Sequence, residues 1–184
     1  MNITVLDFET YYDDRYSLKK MTIPEFVHDP RFHVHGLAVR WPDGNSEFRA
    51  DVKACLEELQ TQFGTDLEKT TVVCHNAQFD LYVLNLKYGI RPRHFTDTML
   101  LAYHVHGRRE GGAGQSATLG ALADRYGLEA KGDLGVMRGV KYPNAQQAAD
   151  LSDYARRDVE ITAQLAERLL PKITHPEVEL PILM

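Results

Sequence analysis

The stretch Thr70-Thr71-Val72-Val73-Cys74-His75-Asn76-Ala77-Gln78-Phe79-Asp80 changes character halfway along. Residues 70–74 are a β-branched run, which predicts a buried strand. From Ala77 to Tyr88 the chain carries Leu81, Val83, Leu84 and Leu86 in a helical stretch that Gly89 closes. A strand feeding straight into a helix is a building unit of layered α/β domains. Working back towards the N-terminus, Ile3 to Phe8 reads as another buried strand. His33 to Trp41 alternates and ends at Pro42-Asp43-Gly44-Asn45, so Ser46 to Ala50 reads as the returning strand of a hairpin. Asp51 to Phe63 places Val52, Cys55, Leu56, Leu59 and Phe63 at helical spacing before Gly64. Working forward, Asp97 to Val105 predicts a helix and 107–115 a Gly- and Arg-rich loop. Ser116 is placed to cap a helix striped by Leu119, Leu122, Ala123 and Tyr126, and Gly127 ends it. A last helix runs from Ala145 to Leu170, where Pro171 breaks it. The expectation is a mixed α/β sheet flanked by helices.

With 184 residues, no internal repeat and no linker, the chain reads as a single domain, 1–184. A composition of 43% hydrophobic and 26% charged residues fits a soluble globular protein, and no apolar run approaches the ~20 residues of a membrane span. The N-terminus enters a strand at once, without the pattern of a secretory signal. Cys55 and Cys74 lack metal-type spacing and read as reduced thiols of a cytosolic protein. A net charge of −5 argues against a non-specific nucleic-acid coat. It is compatible with an enzyme that meets phosphates through metal ions, because clustered carboxylates lower the charge.

Three places carry chemistry. In Leu6-Asp7-Phe8-Glu9-Thr10, strand alternation points Asp7 and Glu9 to one face. Two acids there repel each other and lose solvation unless a cation joins them, although an exposed strand end would also tolerate them. In His75-Asn76-Ala77-Gln78-Phe79-Asp80, Asn76 is placed to cap the helix and Asp80 lies in its first turn, where a carboxylate is favoured by the dipole alone. In Tyr154-Ala155-Arg156-Arg157-Asp158, the i,i+4 spacing puts Tyr154 and Asp158 on one helical face. That face continues through Leu151, Ile161, Leu165 and Leu169, and an acid within an apolar stripe is costly without a partner.

Each motif is common; the set and its order are not. Asp-x-Glu on a first strand, Asn-x-x-Phe-Asp opening a middle helix and Tyr-x-x-x-Asp on a late helix resemble the DEDD exonuclease superfamily. Tyr154 places the resemblance in the DEDDy branch, since the histidine branch needs His at position 153, which is Asp. Tyr11 to Phe32, Asp97-Thr98-Met99-Leu100-Leu101-Ala102 and Thr118-Leu119-Gly120-Ala121-Leu122-Ala123 look like the proofreading domain of family A, polymerase I-type, DNA polymerases, especially phage ones. The resemblance implies an RNase H-like fold with a five-stranded mixed sheet. It implies 3′→5′ removal of deoxynucleotides from single-stranded or frayed DNA 3′ ends, in the cytosol of a bacterium or a phage-infected host. It further implies two divalent cations, Mg²⁺ or Mn²⁺, one held by Asp7, Glu9 and Asp158 and the second by Asp7 and Asp80. Tyr154 would orient the attacking water. Thr10, Asn76, Phe79 and Arg157 would meet the substrate, although the helical position of Phe79 also suits the core. An RNase D-type exoribonuclease shares the same acids, and a non-catalytic nucleic-acid-binding module would share the fold.

Other signals are weaker. Gly112-Ala113-Gly114-Gln115-Ser116-Ala117 fits a dinucleotide fingerprint without a preceding strand. His33-Val34-His35 and His104-Val105-His106 suggest zinc but read better as surface histidines. Arg91, Arg93, Arg108, Arg109, Arg138 and Lys141 are scattered cations, whereas Arg156 and Arg157 flank the acids. Pro176, Glu177, Leu180 and Pro181 resemble the junction at which such polymerases begin their catalytic domain. Residues 171–184 therefore read as a tail or as a junction to a polymerase domain or subunit.

Overall fold

β-branched and apolar runs pair into one sheet of five strands, β1 (Ile3–Thr10), β2 (Val34–Arg40), β3 (Ser46–Arg49), β4 (Thr71–Cys74) and β5 (Phe95–Asp97), in the order β3-β2-β1-β4-β5. The computed structural model describes residues 2–107, 116–176 and 179–180. β1, β2 and β3 pair antiparallel, and β4 and β5 add in parallel on the other side of β1, so the expected mixed sheet is present. β1 is central, and its register shifts between Glu9 and Thr10, where Glu9 faces Gly36 and Thr10 faces Val34. Such a bulge re-aims side chains at a strand end. Gly36 is needed there, since a Cβ would lie 2.2 Å from the Phe48 ring and 2.8 Å from the Arg49 carbonyl.

The two faces of the sheet are covered differently. Leu6, Phe8, Leu37, Val39 and Val72 face α2 (Val52–Phe63), α3 (Ala77–Tyr88) and the short α1 (Ile23–His28) in the larger core. Val5, Ala38 and Val73 face α6 (Ala145–Leu169), which meets them with Ala155, Val159, Ala163 and Ala166. Those small side chains let the long helix lie close on the sheet. Farther along, Ile161, Leu165 and Leu169 turn to α4 (Thr98–His106) and α5 (Leu119–Tyr126). Because Asp7 and Glu9 share the parity of Val5, they emerge on the face that α6 covers.

Several boundaries differ from expectation for identifiable reasons. α1 is an addition, started by a capping box between Thr22 and Glu25 with Pro24 in the first turn. The helix expected from Asp97 begins at Thr98, because Phe95–Asp97 is the edge strand and Asp97 accepts from the Met99 and Leu100 N–H groups as cap. Thr118, not Ser116, caps α5. Asn76 stands at the start of α3 with φ 62° and makes no side-chain cap bond; the Asn76 and Ala77 N–H groups donate to Asp97 instead, each at 3.0 Å. His35 is buried rather than on the surface. Residues 112–115 of the dinucleotide fingerprint, Arg108, Arg109, Glu177 and Pro181 lie outside the described residues. Among the described residues, no helix is long and apolar enough to cross a membrane.

Candidate active site

Where β1 ends, Asp7 and Glu9 meet Asp158 from α6. One carboxylate oxygen from each of the three lies within 4.8 Å of the others. Asp80, buried in the first turn of α3, stands behind them, and its Oδ1 accepts from the Phe8 N–H at 2.9 Å. The structure therefore gathers Asp7, Glu9 and Asp158 into one cluster and sets Asp80 against the backbone of the strand that carries the first two. Tyr154, one turn before Asp158, is half-buried at the rim.

Crowding and burial leave their electrostatic mark. Asp7 is pushed up to about 7, chiefly by burial and then by the charge of Asp158. Burial pushes the Glu9 carboxyl well above the carboxylate range, and Asp7 adds to it. Asp80 is raised by burial and by Asp7, and Asp158 by burial. Such a site demands positive charge. The Tyr154 hydroxyl is also pushed up, by burial and then by Asp158, so it stays protonated near neutral pH and remains a donor.

Part of that positive charge comes from a residue the sequence reading passed over. The Lys131 ammonium donates to Asp158 Oδ2 at 2.5 Å and lies 5.1 Å from the centre of the Tyr154 ring. It reaches the site because the segment before it lies flat on α6. Glu129 pairs with Arg157 at 2.7 Å, and Gly132 sits where a Cβ would come within 3.2 Å of the Tyr154 ring and 3.3 Å of the Arg157 guanidinium. No periodicity marks residues 128–134, and the only available signal was a lysine and a glycine shortly before the last helix. Asp158 Oδ1 stays buried without a hydrogen-bond partner. A buried carboxylate oxygen left unpaired, beside two more acids, fits a hard divalent cation, whose ligands are oxygens.

The other expected site residues scatter around this centre. Thr10 and Phe79 line an open cleft of about 600 Å³ that also contains Glu9 and Tyr154. Phe79 is mostly buried and packs edge-on against Phe26 at 6.0 Å between ring centres, so it belongs to the core and the cleft together. Asn76 is exposed and borders a separate depression with Gln78. Arg157 is engaged by Glu129, and the Arg156 guanidinium donates to the Ser46 carbonyl at 3.2 Å, so both border a different depression. Arg138 does line the cleft of Glu9 and Tyr154.

Residues 34–174 match a family model described as 3′-5′ exonuclease. The chain belongs to that family. The matched segment contains Asp80, Tyr154 and Asp158 but begins after Asp7 and Glu9, which the tertiary structure supplies. A search of curated proteins found no match. Among solved structures, the chain is similar to the catalytic core of RRP6 from Trypanosoma brucei, with TM-score 0.64 and 15% identity over 98% of this chain and 46% of that one. It is similar to Escherichia coli RNase D, with TM-score 0.60 and 16% identity over 92% and 39%. Brucella melitensis NrnC with bound Mg²⁺ matches with TM-score 0.60 and 16% identity over 95% and 75%. The chain thus spans less than half the length of the RRP6 and RNase D chains. The fold is RNase H-like, as expected, and these similar structures are of RNase D, RRP6 and NrnC.

Proposed function

We propose that the protein is a metal-dependent 3′→5′ exodeoxyribonuclease that trims single-stranded or frayed DNA 3′ ends and releases nucleoside 5′-monophosphates. The observation that carries this reading is the meeting of Asp7, Glu9 and Asp158, of which Glu9 lines the cleft, with Asp158 Oδ1 buried and unpaired. Asp7, Glu9 and Asp158 would hold one Mg²⁺ or Mn²⁺, and Asp7 with Asp80 a second. Divalent cations seated there would supply a hydroxide-like water and offset charge on the leaving 3′ oxygen. The protein's own part is orientation. Tyr154 stays protonated, so its hydroxyl donates to, and positions, the attacking water rather than removing its proton. Lys131 holds Asp158 by Oδ2, and the unpaired Oδ1 would be left to a cation. Thr10 and Phe79 offer the cleft a polar and an apolar wall for the terminal nucleotide.

Proofreading beside a DNA polymerase domain or subunit is the role this reading favours. The sequence resemblance of segments outside the acids supports it. A second reading, an RNase D-like exoribonuclease, draws support from the RNase D and RRP6 neighbours. A time course on 5′-labelled single-stranded DNA and RNA of one sequence, with Mg²⁺, Mn²⁺ or chelator, tests both. A ladder shortening from the 3′ end on DNA, abolished by chelator, is the expected result. Faster loss of RNA would replace the substrate, and no metal-dependent loss of either strand would end the nuclease reading in favour of a binding module.

A further inference from the structure

The cleft that begins at Glu9 and Tyr154 continues away from the carboxylates between two segments far apart in sequence. Residues 11–20 follow β1, and residues 134–139 include a 3₁₀ turn at Gly135–Met137. They are fastened together. The Gly139 N–H donates to the Tyr12 carbonyl at 2.8 Å, and the Tyr12 hydroxyl donates to the Leu134 carbonyl at 3.1 Å. Arg138 thereby lines one cleft with Tyr12 and Glu9, and Tyr12 feels the charges of both.

Arg138 is also poorly paired. Its partner is Asp14 at 3.4 Å, with side chains 59% and 82% exposed, a loose contact of little value. By contrast Arg31, Arg49 and Arg157 make contacts of 2.7–2.8 Å to carboxylates. Lys19 and Lys20 line the same cleft, as do Asp13 and Asp14, so the arm carries charges of both signs and offers three cations beyond the carboxylate cluster. A guanidinium fork held so loosely suits a phosphate, which it can grip with two parallel N–H donors. The cleft volume lies within the range that encloses small ligands.

Building on the nuclease reading, we propose that Arg138 binds the backbone phosphate one nucleotide upstream of the scissile phosphate, with Tyr12 beneath the intervening sugar and base. The subsite makes the enzyme prefer a strand to a lone nucleotide ester, and it acts on binding rather than on the chemical step.

The test compares three substrates in Mg²⁺: thymidine 5′-monophosphate p-nitrophenyl ester, which has nothing upstream, a single-stranded oligodeoxynucleotide, and the same oligonucleotide with a neutral methylphosphonate at the second linkage from its 3′ end. Arg138→Ala is expected to raise KM for the plain oligonucleotide roughly tenfold, the scale of one charge-assisted contact. It should leave kcat and the ester unchanged. The methylphosphonate should impose the same loss on wild type and none further on the variant. The salt dependence of log KM should flatten by about 0.7 per lost phosphate contact on a single strand. Equal losses on ester and oligonucleotide, or no loss on either, would overturn the subsite while leaving the nuclease reading intact. Failure of the wild type to cleave any of the three would instead remove that reading, and the subsite with it.

Discussion

Two buried acid centres sit at the same end of the sheet, and they are solved in opposite ways. Asp97, at the end of β5, is 4% exposed and accepts from the N–H groups of Asn76, Ala77, Met99 and Leu100 at 3.0, 3.0, 2.8 and 3.4 Å. Its charge is spread over the first turns of α3 and α4, where helix dipoles also favour it. Asp158, 3% exposed, receives one ammonium, keeps an oxygen unpaired and faces two more carboxylates. The first centre is complete without any ligand and organises the fold. The second keeps an unmet demand for positive charge, so burial alone does not distinguish the two centres; the balance of charge around them does.

That contrast can be broken by exchanging the readouts. Asp158→Ala should lower nuclease activity by about a thousandfold or more, the scale on which transition-state charge stabilisation acts, while the metal-free fold is kept. A wild-type rate would remove Asp158 from the metal seat. Tyr154→Phe should lower kcat by roughly 10²–10⁴-fold at most and leave the melting temperature nearly unchanged; an unchanged kcat would assign the ring a packing role. Asp97→Ala should do the reverse, costing roughly 2–4 kcal/mol through the lost caps and unsatisfied amides, as read by denaturant melts. If Asp97→Ala were harmless to stability but fatal to activity, the two centres would not differ in kind.

Smaller effects sharpen the comparison. Asp7 is raised from 3.8 to about 7, so between those values the folded metal-free chain holds a proton that the unfolded chain has lost. Its stabilising contribution is full below the lower value and fades as pH rises through the upper one. The melting temperature in chelator should therefore fall from pH 5 to pH 8, and Mg²⁺ should recover most of the loss at pH 8; a flat profile in chelator would mean the acids are not crowded. Lys131→Met should cost about 1 kcal/mol in chelator, a modest figure because the ammonium is a third exposed, and less in saturating Mg²⁺.

Much of the fold was legible because burial repeats along the chain. The β-branched run at 71–74, the hairpin turned at Pro42–Asn45 and the stripe of Asp51–Phe63 all lie where their periods place them. β5 escaped because three residues are too few to show a period, and α1 because its signal is a capping box rather than a stripe. On α6 the apolar stripe through Leu151 and Ile161 was visible, but the surface that meets the sheet is Ala155, Val159, Ala163 and Ala166. Small residues give a weak hydrophobic signal, yet they set how closely Asp158 approaches β1.

The candidate site divides the same way. Alternation along β1 and i,i+4 spacing on α6 determined, from sequence alone, that Asp7 shares a face with Glu9 and Tyr154 with Asp158, because backbone geometry fixes which side chains are neighbours within one element. Only the tertiary structure decided that these pairs converge, that Lys131 reaches Asp158, that Asp97 rather than the Asn76 side chain binds amides at the start of α3, and that Arg138 rather than Arg157 borders the cleft. Contacts between elements depend on how helices and loops pack across the sheet, and residues more than 20 positions apart, such as Lys131 and Asp158, carry no shared period that would announce their meeting.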